Sequence, residues 1–186
     1  RNPFEKNYKE DIKFKNFNNK FVKEAKEYIL KNFEKNPGET ELYLPIDFSG
    51  SKKRFRKFLK EKLKNFGKYQ DAVKDDVYFG YHSILSPMIN IGLLDPNYIV
   101  IESEKYYKNN KSIPISSIEG YLRQILSWRE YVRMLYILEN NNLSKPNFFK
   151  HKRKVNKHWF DGTTQIKPID DIIKKVLKTG YAHHIE

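Results

Sequence analysis

The residues whose types and spacing could do chemistry fall in a few groups. The first is Ser83-Ile84-Leu85-Ser86-Pro87, two hydroxyls flanking a tight turn where a helix begins. Hydroxyls, free backbone amides and the positive end of a helix dipole together make an anion seat. The same residues also read as an ordinary cap, with Ser86 as N-cap and Pro87 at the first helical position. The second group is one helix carrying Gln124, Trp128 and Arg129. Arg129 falls in a stripe with Ile118, Leu122, Ile125, Val132 and Tyr136, and an Arg buried in such a stripe must be paired or bind an anion. Trp128 is a large flat ring, suited to core or to a stacked partner. The third is His183-His184 beyond the last helix, by local rules a polar cap, with side chains that titrate near neutrality. The fourth is an acid-free basic run from Asn147 to His158, with Lys150, Lys152, Arg153, Lys154 and Lys157 beside His151 and His158.

Helices must position these groups. Phe21, Ala25, Ile29 and Phe33 form one helical stripe, stopped by Asn36-Pro37-Gly38. Ser51 to Phe66 repeats Phe55, Phe58, Leu59, Leu63 and Phe66 at intervals of three and four, with Gly67 as its stop; its basic residues read best as a solvated face. Asp95-Pro96 starts a helix to about Tyr107. Ser116-Ser117-Ile118-Glu119 reads as a capping box opening a long central helix to about Asn140. A last helix runs from about Pro168 to Leu177, with Ile169, Ile172, Ile173 and Val176 inward and Gly180 as its stop. Strand signals are nearly absent, so the class is all-α, an array of about six helices.

Composition narrows the function. The 186 residues suit one domain, and 13 Phe, 13 Tyr and 2 Trp supply a real core, which argues against general disorder. There is no cysteine, excluding disulfides, Cys-ligated zinc, iron–sulfur ligation and thiol catalysis within these residues, and fitting a reducing, cytoplasmic setting. The five His have no zinc-like helical spacing, so no metal site is expected. A net charge of +13 attracts polyanions, nucleic acid above all. No apolar run is long enough for a membrane span, and Arg1-Asn2-Pro3-Phe4 opens no signal peptide. The absence of Met at position 1 points to a piece of something longer.

Three segments together resemble one family: FGKYQDAV with YHSILSPMINIGLL (66–73 and 81–94), SIEGYLRQILSWREYVR (117–133), and WFDGTTQIKPIDDIIKKVLKTGYAHHI (159–185). In this order and spacing they are similar to the cryptochrome/photolyase superfamily, most of all to bacterial-type (6-4) photolyase-related proteins. The resemblance covers about residues 42–186, the first half of the FAD-binding helical domain, with 1–41 as an irregular, partly helical lead-in. It implies a flavoprotein for light-driven repair of UV-damaged DNA. Residues His82, Ser83, Ile84, Leu85 and Ser86 would then hold the FAD diphosphate, with Tyr69, Gln124 and Arg129 near the flavin. Trp128 would line the pocket for a flipped-out lesion, where a flat ring stacks on bases. His184, with His183 beside it, matches a proton donor; a (6-4) lesion is implied over a cyclobutane dimer, because cyclobutane-type enzymes carry Asn there. Lys150, Lys152, Arg153 and Lys154 would contact DNA phosphates.

The sequence departs from the family in places. The bacterial branch carries an iron–sulfur cluster, but its first ligand aligns with Pro168 and KPIDDIIKKVL is closer to cluster-free members, so no cluster is expected. The antenna domain and the C-terminal half of the flavin cradle are not among these residues, which leaves an incomplete FAD site and a segment expected to be inactive alone. Alternatives are a flavin-free basic helical remnant that binds nucleic acid, and a cryptochrome-like photoreceptor.

Overall fold

The computed structural model describes residues 2–10, 19–139, 142, 145 and 147–186, and they form an all-α array without strands. In chain order the helices are α1 (Lys20–Phe33), α2 (Phe48–Glu61), α3 (Leu63–Tyr69), α4 (Ser86–Asn90), α5 (Pro96–Asn109), α6 (Ile115–Glu139), α7 (His158–Asp161) and α8 (Lys167–Thr179). Local signals account for several boundaries. Asn19 caps α1 by accepting from Val22 N, Asp47 caps α2 by accepting from Gly50 N, and Asp95 caps α5 by accepting from Asn97 N. Gly180, at φ 64°, ends α8 in the left-handed conformation that glycine adopts without penalty.

The core lies between α2, α3, α4, α5 and the first half of α6. Phe55, Leu63, Leu85, Met88, Ile99 and Tyr121 are fully buried there. Tyr121 meets Phe58 at 4.6 Å and Phe66 at 5.6 Å between ring centroids. Burying each such side chain contributes about 1.5–3 kcal/mol, so this cluster supplies most of the apolar stabilisation. A second cluster forms around Phe4, Tyr69, Ala72 and Val77, with Tyr8 and Tyr81 packed on it. Among the described residues before α1, Phe4 is buried in this cluster and Tyr8 is half-buried against it.

Four local expectations are corrected. The predicted helix Ser51–Phe66 is two helices, broken at Lys62, whose amide still bonds Phe58 O. Gly67 does not stop it but sits inside α3, where an added Cβ would lie 2.7 Å from the Ser116 carbonyl and the Ser117 amide. The glycine is there for close helix approach. The capping box at Ser116 does not form, because α6 already begins at Ile115 and the Pro114 carbonyl accepts from Ser117 N. The Ser117 hydroxyl instead bridges sideways, donating to Lys64 O at 2.9 Å and accepting from Gly67 N at 3.0 Å. Ser86 is the first residue of α4 and makes no capping bond.

Two apolar faces lack the expected cover. On α1 the stripe residues Phe21, Ile29 and Phe33 are exposed, Phe21 by 71%, and only Val22 is buried. On α6 the stripe is buried at Ile118 and Ile125, but beyond Ile125 nearly every side chain is exposed, Val132 and Tyr136 included. On α8, Ile169, Ile172 and Ile173 are half-buried and Val176 is exposed. Among the described residues, no helix is long and apolar enough to cross a membrane.

Candidate functional site

The turn at 82–86 and the middle of α6 share a groove of about 290 Å³. Its walls come from separate stretches of chain: His82, Ser83, Ile84, Leu85 and Ser86; Tyr121, Gln124, Ile125 and Arg129 of α6; Phe66 and Ile89 at the base; and the tail Tyr181, Ala182, His183 and His184. Packing explains the juxtaposition. Leu85 and Ile89 anchor the turn in the core, and Phe66 and Tyr121 hold α3 against α6, so the polar residues between them face the gap. Ile84, buried, has φ +54°. That conformation costs a β-branched residue of order 1–2 kcal/mol and marks a turn held by its surroundings.

Electrostatics in the groove centre on three imidazoles. His82 stacks on His183 at 4.7 Å with an interplanar angle of 16°, and His184 meets His82 edge-on at 6.0 Å. Burial lowers the His82 pKa to about 3, helped by the neighbouring His183 and His184 and opposed by a hydrogen bond with the Gln70 backbone. His183 is also lowered, first by burial, with the Glu186 carboxylate opposing. Its Nδ1 accepts from Ile185 N at 3.3 Å, which fixes the neutral tautomer with the proton on Nε2. Lys175 donates to both Glu186 oxygens at 2.6 Å, so that carboxylate is already neutralised. His184 reaches outward, its Nε2 3.4 Å from Asp71 Oδ1.

Among the described residues, His82 Nε2 and the Tyr121 hydroxyl are buried without a hydrogen bond of standard geometry. Burial raises the Tyr121 pKa, and the nearby Ser83 hydroxyl opposes this. Both orphaned groups line the groove. Unmet buried polar groups cost about 1–3 kcal/mol each, so a ligand offering donors and acceptors would be favoured there. The donor set of Ser83, Ser86, Gln124 and Arg129 suits a ligand with anionic and polar parts. No group of three or more His, Asp or Glu among the described residues could hold a metal ion.

The other sequence-derived site residues lie elsewhere. Arg129 is exposed rather than buried in a stripe, and it has no ion pair among the described residues. Trp128, 56% exposed, stands edge-on to Tyr131 at 5.8 Å. It lines a shallower neighbouring cleft with Gln124, Arg129, Val132, Arg133 and Tyr136, so Gln124 and Arg129 connect the two. Tyr69 is not in the groove. It is buried in the second cluster, stacked on Tyr81 at 5.1 Å, its hydroxyl donating to Glu5 at 3.0 Å. Lys150, Lys152, Arg153 and Lys154 are exposed on an irregular segment, where Asn147 brackets the turn by accepting from His151 N at 2.6 Å. None of the four lines the groove. Sequence reasoning did not find Phe66, Tyr121, Ile89 or Asp71. Phe66 stood out only as part of an apolar helical repeat, and Tyr121 had a similar signal, since it lies three and four residues from Ile118 and Ile125.

No family model matches the chain. An uncharacterized protein of Acanthamoeba polyphaga mimivirus is 37% identical over 113 residues, covering 60% of this chain and 85% of the viral one. The chain belongs to one family with this viral protein. The chain is also 32% identical over 168 residues to a protein named (6-4) photolyase from Agrobacterium fabrum. That similarity covers 90% of this chain and 33% of the photolyase, so the chain spans about a third of that relative's length.

Proposed function

We propose that the groove is part of the flavin site of a photolyase-like protein, and that such a protein repairs UV-damaged DNA under light. One observation carries the reading: the turn at 82–86, Gln124 and Arg129 of α6, and the His183-His184 tail come from distant parts of the chain and line one groove. Ser83 and Ser86 would hold the diphosphate, with Arg129 supplying the positive charge and Gln124 a directional bond. His82 and Tyr121 would satisfy their unmet groups on the ligand. Bound FAD supplies the light-absorbing and electron-donating chemistry. In this chain, His184 is the groove histidine that reaches solvent and could hold or release a proton at Nε2, opposite Asp71. That position favours a (6-4) photoproduct over a cyclobutane dimer as the lesion. Trp128 on the adjoining cleft would stack on the lesion, and the basic segment 150–154 would contact phosphates, within the cell where the DNA is.

About 290 Å³ is at the lower limit for a ligand site. Together with the bare second half of α6, this supports a groove that is one wall of a larger site, completed by further protein. The test is the absorbance spectrum of the protein after incubation with FAD and desalting, followed by blue-light repair of lesion-bearing oligonucleotides. Flavin retention that Arg129→Glu abolishes supports the reading. A protein that retains no flavin and binds damaged and undamaged DNA alike would instead be a basic nucleic-acid-binding relative.

A further inference from the structure

On the other side of the turn at 82–84 lies a second cleft of about 290 Å³. It is lined by Arg54, Lys57, Phe58, Glu61 and Lys62 of the α2–α3 hinge, by Tyr8, Lys9 and Glu10, and by Tyr43 and Phe79. The charges in it are unequally satisfied. Glu10 Oε2 accepts from Tyr78 N and Phe79 N at 2.9 and 2.8 Å, and its Oε1 is 3.6 Å from Lys62 Nζ. Lys62 also donates to Gly80 O at 2.6 Å. Glu61 pairs with Lys57 at 3.8 Å. Both carboxylates of the cleft are thus engaged, and neither reaches Arg54. Among the described residues, the Arg54 guanidinium has no ion pair, and its Nε is buried without a hydrogen bond. Burial lowers the Arg54 pKa, and that charge in turn presses down on Lys62.

A desolvated guanidinium facing a second partly buried cation is costly without an anion between them. The planar fork of Arg matches the oxygens of phosphate, and because Lys9, Lys57 and Lys62 outnumber Glu10 and Glu61 in the lining, the cleft stays net positive beyond its internal ion pairs, as a dianion requires. Phe58, Phe79, Tyr8 and Tyr43 add aromatic wall, suited to a flat ring carried by the same ligand. The small volume admits a mononucleotide and little more. We propose that this cleft binds the terminal phosphate of a nucleotide-sized ligand, with Arg54 as its principal contact. The assignment does not rest on the flavin reading of the groove.

The test follows the Arg54 Nε–H resonance of ¹⁵N-arginine-labelled protein, identified by its loss in Arg54→Met, during titration with inorganic phosphate, AMP, and a short DNA strand lacking terminal phosphates. Phosphate and AMP are expected to move the resonance, AMP binding more tightly. Thermal-shift affinity for AMP should fall about tenfold or more in Arg54→Met, the scale of one lost charge-assisted pair. Lys57→Gln, on the exposed rim and safe for folding, should weaken it severalfold. Because Arg54→Met removes a desolvated charge and keeps the aliphatic stem, the free protein should melt no lower than wild type. An unmoved resonance at millimolar phosphate and AMP overturns the proposal. So do unchanged AMP affinity in both variants and a response to the DNA strand alone.

Discussion

Replacing Gly67 with Ala tests how α3 and α6 define the groove. On propensity alone an Ala inside a helix should stabilise by about 1 kcal/mol. Here the added Cβ would stand 2.7 Å from the Ser116 carbonyl carbon and oxygen and from the Ser117 amide. All three are backbone atoms, so no side chain can swing aside and the helices must separate. Overpacking of this kind costs about 1–3 kcal/mol. Separation also stretches the two Ser117 hydroxyl bonds to Lys64 and Gly67, worth about 1 kcal/mol each. The net expectation is a loss of about 2–3 kcal/mol, or a melting temperature lower by roughly 5–10 °C for a chain of this size. Chemical denaturation should show a lower midpoint with an unchanged slope. Ser117→Ala should cost less, and the double variant should fall short of the sum, since the first change already loosens the second contact. Phe66 and Tyr121 line the groove from the two helices, so flavin retention should fall with stability. A Gly67→Ala protein as stable as wild type, or more so, refutes the close-approach reasoning.

Stability should also depend on pH through His82. Its folded pKa of about 3 lies below the unfolded 6.5, so between these values the unfolded chain binds more protons and stability falls as pH falls. His183 shifts the same way, and Lys62, His183 and His184 are the charged or titratable groups facing His82. From pH 7 to 5 the loss should be about 2 kcal/mol, and His82→Phe should flatten the profile; urea midpoints across that range check it. Ser86→Ala should leave thermal stability within about 0.5 kcal/mol, because Ser86 caps nothing, yet weaken flavin retention. Changing Lys152 and Arg153 together to Ala should lower affinity for any DNA and reduce the salt slope by about two. By contrast, Trp128→Ala should weaken lesion-bearing strands selectively, by about 1–3 kcal/mol, as competition binding at several salt concentrations would show.

Much of the frame was legible because local chemistry decides it. Asp95-Pro96 opens α5, Gly180 closes α8, and the long apolar run of α6 is one helix. The misread residues are those whose role is set by something distant in sequence. Gly67 reads locally as a stop, but it answers to Ser116 and Ser117. Ser117 reads as part of a capping box, but Pro114 starts the helix earlier and frees the hydroxyl to bridge to α3. Periodicity marked the Phe21 and Val132 faces correctly as apolar, but a stripe carries no information on whether another element covers it. Arg129 looked anomalous only on the assumption of cover. The turn at 82–86, the Gln124–Arg129 face and the His pair were recognisable as chemistry from residue type. Their shared groove depends on core packing of Phe66, Leu85, Ile89 and Tyr121 across long sequence separations. The stacking of His82 on His183 depends on the same packing and has no sequence signal at all.

The groove is tested most directly by titrating FAD into ¹⁵N-labelled protein and mapping the perturbed amides, a readout that detects weak binding to an incomplete site. Expected is a saturable response confined to 82–86, Gln124, Ile125, Arg129 and 181–184, lost in Arg129→Glu. No response at millimolar FAD, or one centred on residues outside the groove, would contradict a flavin site there.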